Sequence, residues 1–220
     1  AITVTVEETP APEPQPPVNN GADLLADPAT GISYIDADGN PKTCASATVV
    51  DGSTSWGEAG GSEHWYVVTA DAPITIDDRV YVNGKVNLIL ADGCTLTARQ
   101  GINVSNGNSL TIYGQSSDKD TMGKLTAKAR EGFNSAGIGG ASGNITITGG
   151  NVTATGSGKN NSGAGAGIGG DGAGDSGTIT ISGGIVRATG GTSDYGGGAG
   201  IGGGGSSKSA QEIVITGGVI

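Results

Sequence analysis

Three cations, Arg99, Lys128 and Arg187, fall in or just after short alternating segments, Thr95–Ala98, Lys124–Ala129 and Ile185–Thr189, and Thr153 and Thr155 hold the matching places of a fourth, Asn151–Thr155. If these segments are strands stacked in register, neighbouring side chains lie about 4.8 Å apart and the cations and hydroxyls share one outward face. Charged donors beside hydroxyls suit an acidic or hydroxyl-rich glycan. The plainer reading is a solvated face that keeps the sheet soluble, and no Asp or Glu is expected in the ladder with the three cations. Tyr113 is the aromatic expected to stand exposed, because its column continues as Thr148, Ser182 and Thr216, and an aromatic face packs well on the apolar face of a sugar. Trp65-Tyr66-Val67-Val68 reads instead as a strand with Tyr66 and Val68 facing a core.

Catalytic constellations are poorly supplied. A polysaccharide lyase needs a Lys or Arg base near carboxylates that hold Ca²⁺, and a glycoside hydrolase needs carboxylates facing one groove. Asp77-Asp78 is an adjacent pair whose members point to opposite faces of a strand. His64, the one histidine, lacks the context of a nucleophilic serine. Asp36, Asp38 and Asn40 imitate the opening of a calcium loop, but the glycine falls at the fourth place and no Glu follows at the twelfth. A tight turn accounts for them. Asp171 and Asp175 could hold a structural Ca²⁺ with backbone carbonyls, although the pattern is weak and does not repeat. The reading is therefore a non-enzyme without a required cofactor. A Thr-x-Thr array for ice binding is also disfavoured, since Lys128 and Arg187 interrupt the face carrying Thr153-Ala154-Thr155.

The elements that position these residues must be built from an unusual composition. Of 220 residues 44 are glycine, close to three times the usual share of about 7%. Of these, 31 fall in residues 132–220, whereas all eight prolines lie at or before Pro73. Collagen needs glycine at every third place with proline beside it, and is excluded. A disordered linker would lack the evenly recurring Ile and Val of this half. The net charge is −10, with 14 acids against four bases in residues 1–100. Without clustered Lys and Arg the chain is a poor nucleic-acid binder. No apolar run approaches about 18 residues, so no membrane insertion is expected. Cys44 and Cys94 allow one disulfide in an oxidising compartment.

Self-comparison supplies the architecture. Gly137-Ile138-Gly139-Gly140, Gly167-Ile168-Gly169-Gly170 and Gly200-Ile201-Gly202-Gly203 each precede an alternating segment ending in Gly-Gly, and those pairs recur every 34 residues. Three short period-2 segments per repeat predict a parallel β-helix of about four and a half coils. Leu110/Ile145/Ile179/Ile213 and Ile112/Ile147/Ile181/Ile215 should stack inward, as should Leu96/Leu125/Val152/Val186/Ile220 and Ala98/Ala127/Ala154/Ala188. Residues 1–20 read as the last strand of an upstream domain plus a proline-rich linker, 21–73 as an N-terminal β-rich cap, and 74–220 as the β-helix. Val219-Ile220 stops partway through a coil. The chain is thus expected to be an interior piece, continuous with further domains of a larger parent, whose last coil frays.

The run Val86-Asn87-Leu88-Ile89-Leu90-Ala91-Asp92-Gly93-Cys94-Thr95-Leu96-Thr97, the strand Leu110–Gly114 and the Ala-Gly-Ile-Gly-Gly and Ile-Thr-Ile-Thr/Ser-Gly-Gly repeats resemble glycine-rich β-helix modules of large surface proteins from Gram-positive anaerobes. The resemblance covers about residues 30–220. It implies an all-β, right-handed parallel β-helix of the pectate-lyase-like kind, an extracellular location on the bacterial cell surface, and a polysaccharide or other glycan as partner in carbohydrate binding or adhesion. A purely structural spacer and a lyase-like enzyme fragment are the alternatives. It also implies an immunoglobulin-like upstream neighbour, which the Ile2–Val6 strand and proline-rich linker fit, and it brings no established binding residues.

Overall fold

A computed structural model of the chain describes residues 28–159, 162–206 and 209–220. The expected strand at Ile2–Val6 and the proline-rich linker lie outside the described residues. Among those residues the regular structure is entirely β. A hairpin of β1 (Ala29–Ile35) and β2 (Pro41–Val49) comes first, its strands antiparallel. The chain then runs in circuits, each adding a strand to three parallel sheets. The first circuit is β3 (Ser55–Trp56), β4 (Glu63–Val68) and β5 (Ile74–Ile76). The second is β6 (Val80–Val82), β7 (Lys85–Leu90) and β8 (Thr95–Ala98); the third is β9 (Ile102–Asn103), β10 (Ser109–Gly114) and β11 (Lys124–Lys128). Then come β12 (Ile138–Gly139), β13 (Asn144–Ile147) and β14 (Asn151–Thr155), followed by β15 (Ile168–Gly169), β16 (Ser176–Ile181) and β17 (Ile185–Thr189). A partial sixth circuit has β18 (Ile201–Gly202), β19 (Ala210–Ile215) and a bridge from Val219 to Ile185.

The stack therefore begins earlier than residue 74. β3, β4 and β5 pair in parallel with β6, β7 and β8, so the segment expected as a cap already forms a circuit. Trp65–Val68 is legible as a strand, but its place in a circuit is not, because its companions β3 and β5 are only two and three residues long and none of the three carries the glycine repeat. The β1–β2 hairpin precedes the circuits and joins the main sheet at one end, where Thr48 and Val49 pair in parallel with Tyr66 and Val67 of β4. It lies over the outer face of the main sheet, where Ile32, Cys44 and Ala47 cover Val67 and Ile89 in a second apolar cluster.

The register agrees with the alternation. Leu110, Ile145, Ile179 and Ile213 are successive partners, as are Leu96, Leu125, Val152 and Val186. Burying one such side chain contributes roughly 1.5–3 kcal/mol, so a column of four carries a large part of a domain's net stability. In the last circuit Ile213, Ile215, Val219 and Ile220 remain exposed.

The third sheet depends on glycine for a different reason. Gly139, Gly169 and Gly202 are successive partners with φ near +131° to +137°, and a Cβ at Gly139 would stand 2.0 Å from the Gly169 carbonyl oxygen. Backbone there touches backbone. Gly107 has a positive φ of +76° but open space around it. Gly139→Ala should therefore cost more than about 3 kcal/mol, combining backbone strain with a clash, against about 1 kcal/mol for Gly107→Ala. Urea unfolding of both variants measures this; equal losses would mean that close stacking does not constrain Gly139.

Candidate functional site

The ladder singled out by sequence is real as a register. Thr97, Thr126, Thr153 and Arg187 are successive partners, and Lys128 pairs with Thr155, which pairs with Thr189. Its cations are not free, however. Arg99 Nη1 lies 2.9 Å from Asp77 Oδ1, Lys128 Nζ 2.7 Å from Glu131 Oε1, and Arg187 donates to Asn151 Oδ1 at 3.4 Å. The expectation that no acid shares this ladder is corrected: Ile76 pairs with Ala98, which puts the next residues, Asp77 and Arg99, side by side, while Glu131 reaches back from the loop after β11. The hydrogen bond and charge of Lys128 hold the Glu131 carboxyl below its usual range. Such exposed pairs add little stability, but they neutralise the charge offered to a ligand.

Tyr113 is likewise corrected. Its column faces away from the coil interior but toward the hairpin, so the ring is half-buried, stacked 5.4 Å from Trp65 and edge-on at 4.7 Å to Tyr34. One place along, the hydroxyl of Thr148 sits 3.2 Å from the Ile35 carbonyl oxygen, beneath the same hairpin. A hairpin folding back over a sheet leaves no periodic trace in sequence. Tyr66 does face the core, with its hydroxyl accepting from the Gly57 N–H at 2.8 Å.

The exposed rings are elsewhere, with two gathered in one cleft and Tyr195 outside it. Tyr81 is 53% exposed and Phe133 48% exposed, and both line a cleft of about 280 Å³ with Arg79, Gln100, Asn103, Arg130, Ser135 and Asp171. Alternation along β6 sends Val80 and Val82 inward and Tyr81 outward. Asn103 is its partner one circuit on, and the next places are Gly139 and Gly169, where no side chain fills the column. Arg79 occupies that space. Its guanidinium, 13% exposed, donates to the carbonyls of Gln100, Ala136 and Gly139 at 3.1 to 3.2 Å and lies 3.5 Å from Asp171 Oδ1. Asp171 also accepts from the Ala136 N–H at 2.7 Å. Burial pushes the Asp171 carboxyl up and the Arg79 guanidinium down from their ordinary values, and in each the opposite charge works the other way. The far wall is the loop 129–135, where the Arg130 guanidinium sits 4.4 Å over the Phe133 ring. The Ser157 hydroxyl holds that loop through the carbonyls of Arg130 and Phe133.

The sequence reading misses Tyr81, although the alternation Val80-Tyr81-Val82 is a signal that could have found it; the union of Arg79 with Asp171, 92 positions away, left no such signal. Asp171 thus serves Arg79 and a backbone amide, while Asp175 accepts from the Ser209 N–H at 2.9 Å. Asp36 closes its turn by accepting from the N–H groups of Asp38 and Asn40. Among the described residues no group of three or more His, Cys, Asp or Glu side chains is gathered as a metal site. Comparison with known protein families, with curated proteins and with solved structures finds no match.

The disulfide left open by the sequence is not formed. Cys44 lies in the cluster under the hairpin and Cys94 in the coil interior, both as thiols. Burial pushes the Cys94 thiol up to about 11 and raises that of Cys44. At pH 8 both stay protonated, and a thiol-reactive reagent should label neither in the folded protein but both in guanidinium without reductant. Labelling of only one or none in denaturant would contradict this. Arg79→Met takes one donor from each of three carbonyls and the countercharge from Asp171, leaving Gly139 its bond from the Val104 N–H and Asp171 its bond from the Ala136 N–H, and should cost about 3 kcal/mol in chemical unfolding; a loss below about 0.5 kcal/mol would deny the clamp its role.

Proposed function

We propose that the chain is a right-handed parallel β-helix of the glycine-rich surface-protein kind, acting as a non-catalytic carbohydrate-binding or adhesion module. Connections between parallel strands of one sheet are right-handed in nearly all proteins, which supports the hand. The observation that carries the binding reading is the cleft between Tyr81 and Phe133. Exposed rings meet the apolar faces of sugars, and the hydroxyls of Tyr81 and Ser135 and the amide of Asn103 make no hydrogen bond to any described residue, so they are available to sugar hydroxyls. The resemblance adds an extracellular, cell-surface setting within a larger parent protein.

Catalysis is the weaker reading, because the one carboxylate lining the cleft, Asp171, is tied to Arg79 and to backbone. A stiff spacer is the second reading, favoured by the neutralised cations of the Thr-rich ladder. Binding of the folded protein to a glycan array separates the two. The expected outcome is saturable retention on a subset of glycans, lowered at least tenfold by Tyr81→Ala together with Phe133→Ala. Absence of retention on every glycan by a protein with intact unfolding behaviour leaves the spacer.

A further inference from the structure

The cleft holds two arginines in opposite circumstances. Arg79 points inward, three carbonyls and Asp171 taking its donors. Arg130 is exposed, has no acidic partner among the described residues, and has the Phe133 ring against one face of its guanidinium plane. A guanidinium held by its face keeps its edge free, and that edge presents paired N–H donors matched to a planar or tetrahedral oxyanion. The charges lining the cleft are Arg79, Arg130 and Asp171. Asp171 offsets one arginine, so the cleft carries one net positive charge in a chain of net charge −10. Long-range attraction cannot supply a ligand's charge preference here, since fields beyond about 8–10 Å are screened. A short-range contact at Arg130 can.

Resting on the glycan reading above, we infer that the ligand is an acidic sugar: a pyranose whose apolar face lies on the exposed Tyr81 ring, whose hydroxyls meet Asn103, and whose carboxylate or sulfate ester accepts from the edge of Arg130. The same site discriminates against the uncharged sugar, because only the acidic form uses the free guanidinium edge. The arginines of the cleft divide their work, with Arg79 holding the glycine corners together and Arg130 reading charge.

The test uses the whole chain and oligosaccharides of gluco and galacto configuration, each as the neutral form, oxidised at C6 to the uronate, and sulfated at C6. Calorimetry should show at least tenfold tighter binding of an acidic form than of its neutral parent, and the preferred anion identifies carboxylate or sulfate as the source. Arg130→Met should abolish that preference, so that acidic and neutral forms bind the variant within about twofold of each other. Arg130→Lys, which keeps the charge and loses the fork, should restore part of it. Both substitutions are at an exposed loop side chain, and thermal unfolding confirms that the fold is kept. Equal binding of neutral and acidic forms, or an acidic preference that survives Arg130→Met, overturns the inference and leaves the glycan reading standing. Failure of every sugar to bind overturns both.

Discussion

Everything in this protein depends on successive circuits lying one hydrogen-bonded strand spacing apart. At that spacing isoleucine stacks on isoleucine in Ile138, Ile168 and Ile201, and glycine on glycine in Gly139, Gly169 and Gly202. The two columns are adjacent and serve opposite ends. The first removes branched apolar surface from water, and the second brings backbone so close to backbone that a methyl group has no place. Glycine is entropically expensive in a strand, and the apolar columns offset that expense.

The same constraint creates the cleft. Outward positions of this sheet pass from Tyr81 to Asn103 and then to glycines, so the surface drops away where side chains stop. A guanidinium can lie against the bare carbonyls there, and Arg79 does so across several circuits, meeting Asp171 at the far side. Both partners are penalised by burial, and a pair of this kind is retained for the arrangement it specifies more than for net stability. What it specifies is the floor beneath two exposed rings and an unpaired arginine.

The opposite fate of the Thr-rich face follows from ordinary cross-strand chemistry. Residues that follow paired positions become neighbours, so Asp77 meets Arg99. Its charges close on one another, whereas Arg130, projecting from a loop, has no partner of opposite sign among the described residues. The hairpin acts similarly on the outer face of the main sheet, converting Trp65 and Tyr113 from potential sugar platforms into the lining of a second apolar cluster.

From residue 80 onward the sequence by itself determined the strands, their period and the inward columns as far as the last complete circuit, because these are local alternations repeated at a fixed distance and parallel stacking copies them from one circuit to the next. The roles of Tyr66 and Val68 were legible for the same reason, and the alternation Val80-Tyr81-Val82 carried an equal signal for Tyr81 that the reading passed over. Only the tertiary structure decided that the first circuit precedes residue 74, that the hairpin folds over Tyr113, that Asp77 and Glu131 neutralise Arg99 and Lys128, and that Arg79 meets Asp171. Each of these joins residues from segments with no shared period. Which side chains meet at a corner or beneath a folded-back hairpin is set by the path of the chain in space, and no alternation along it records that path.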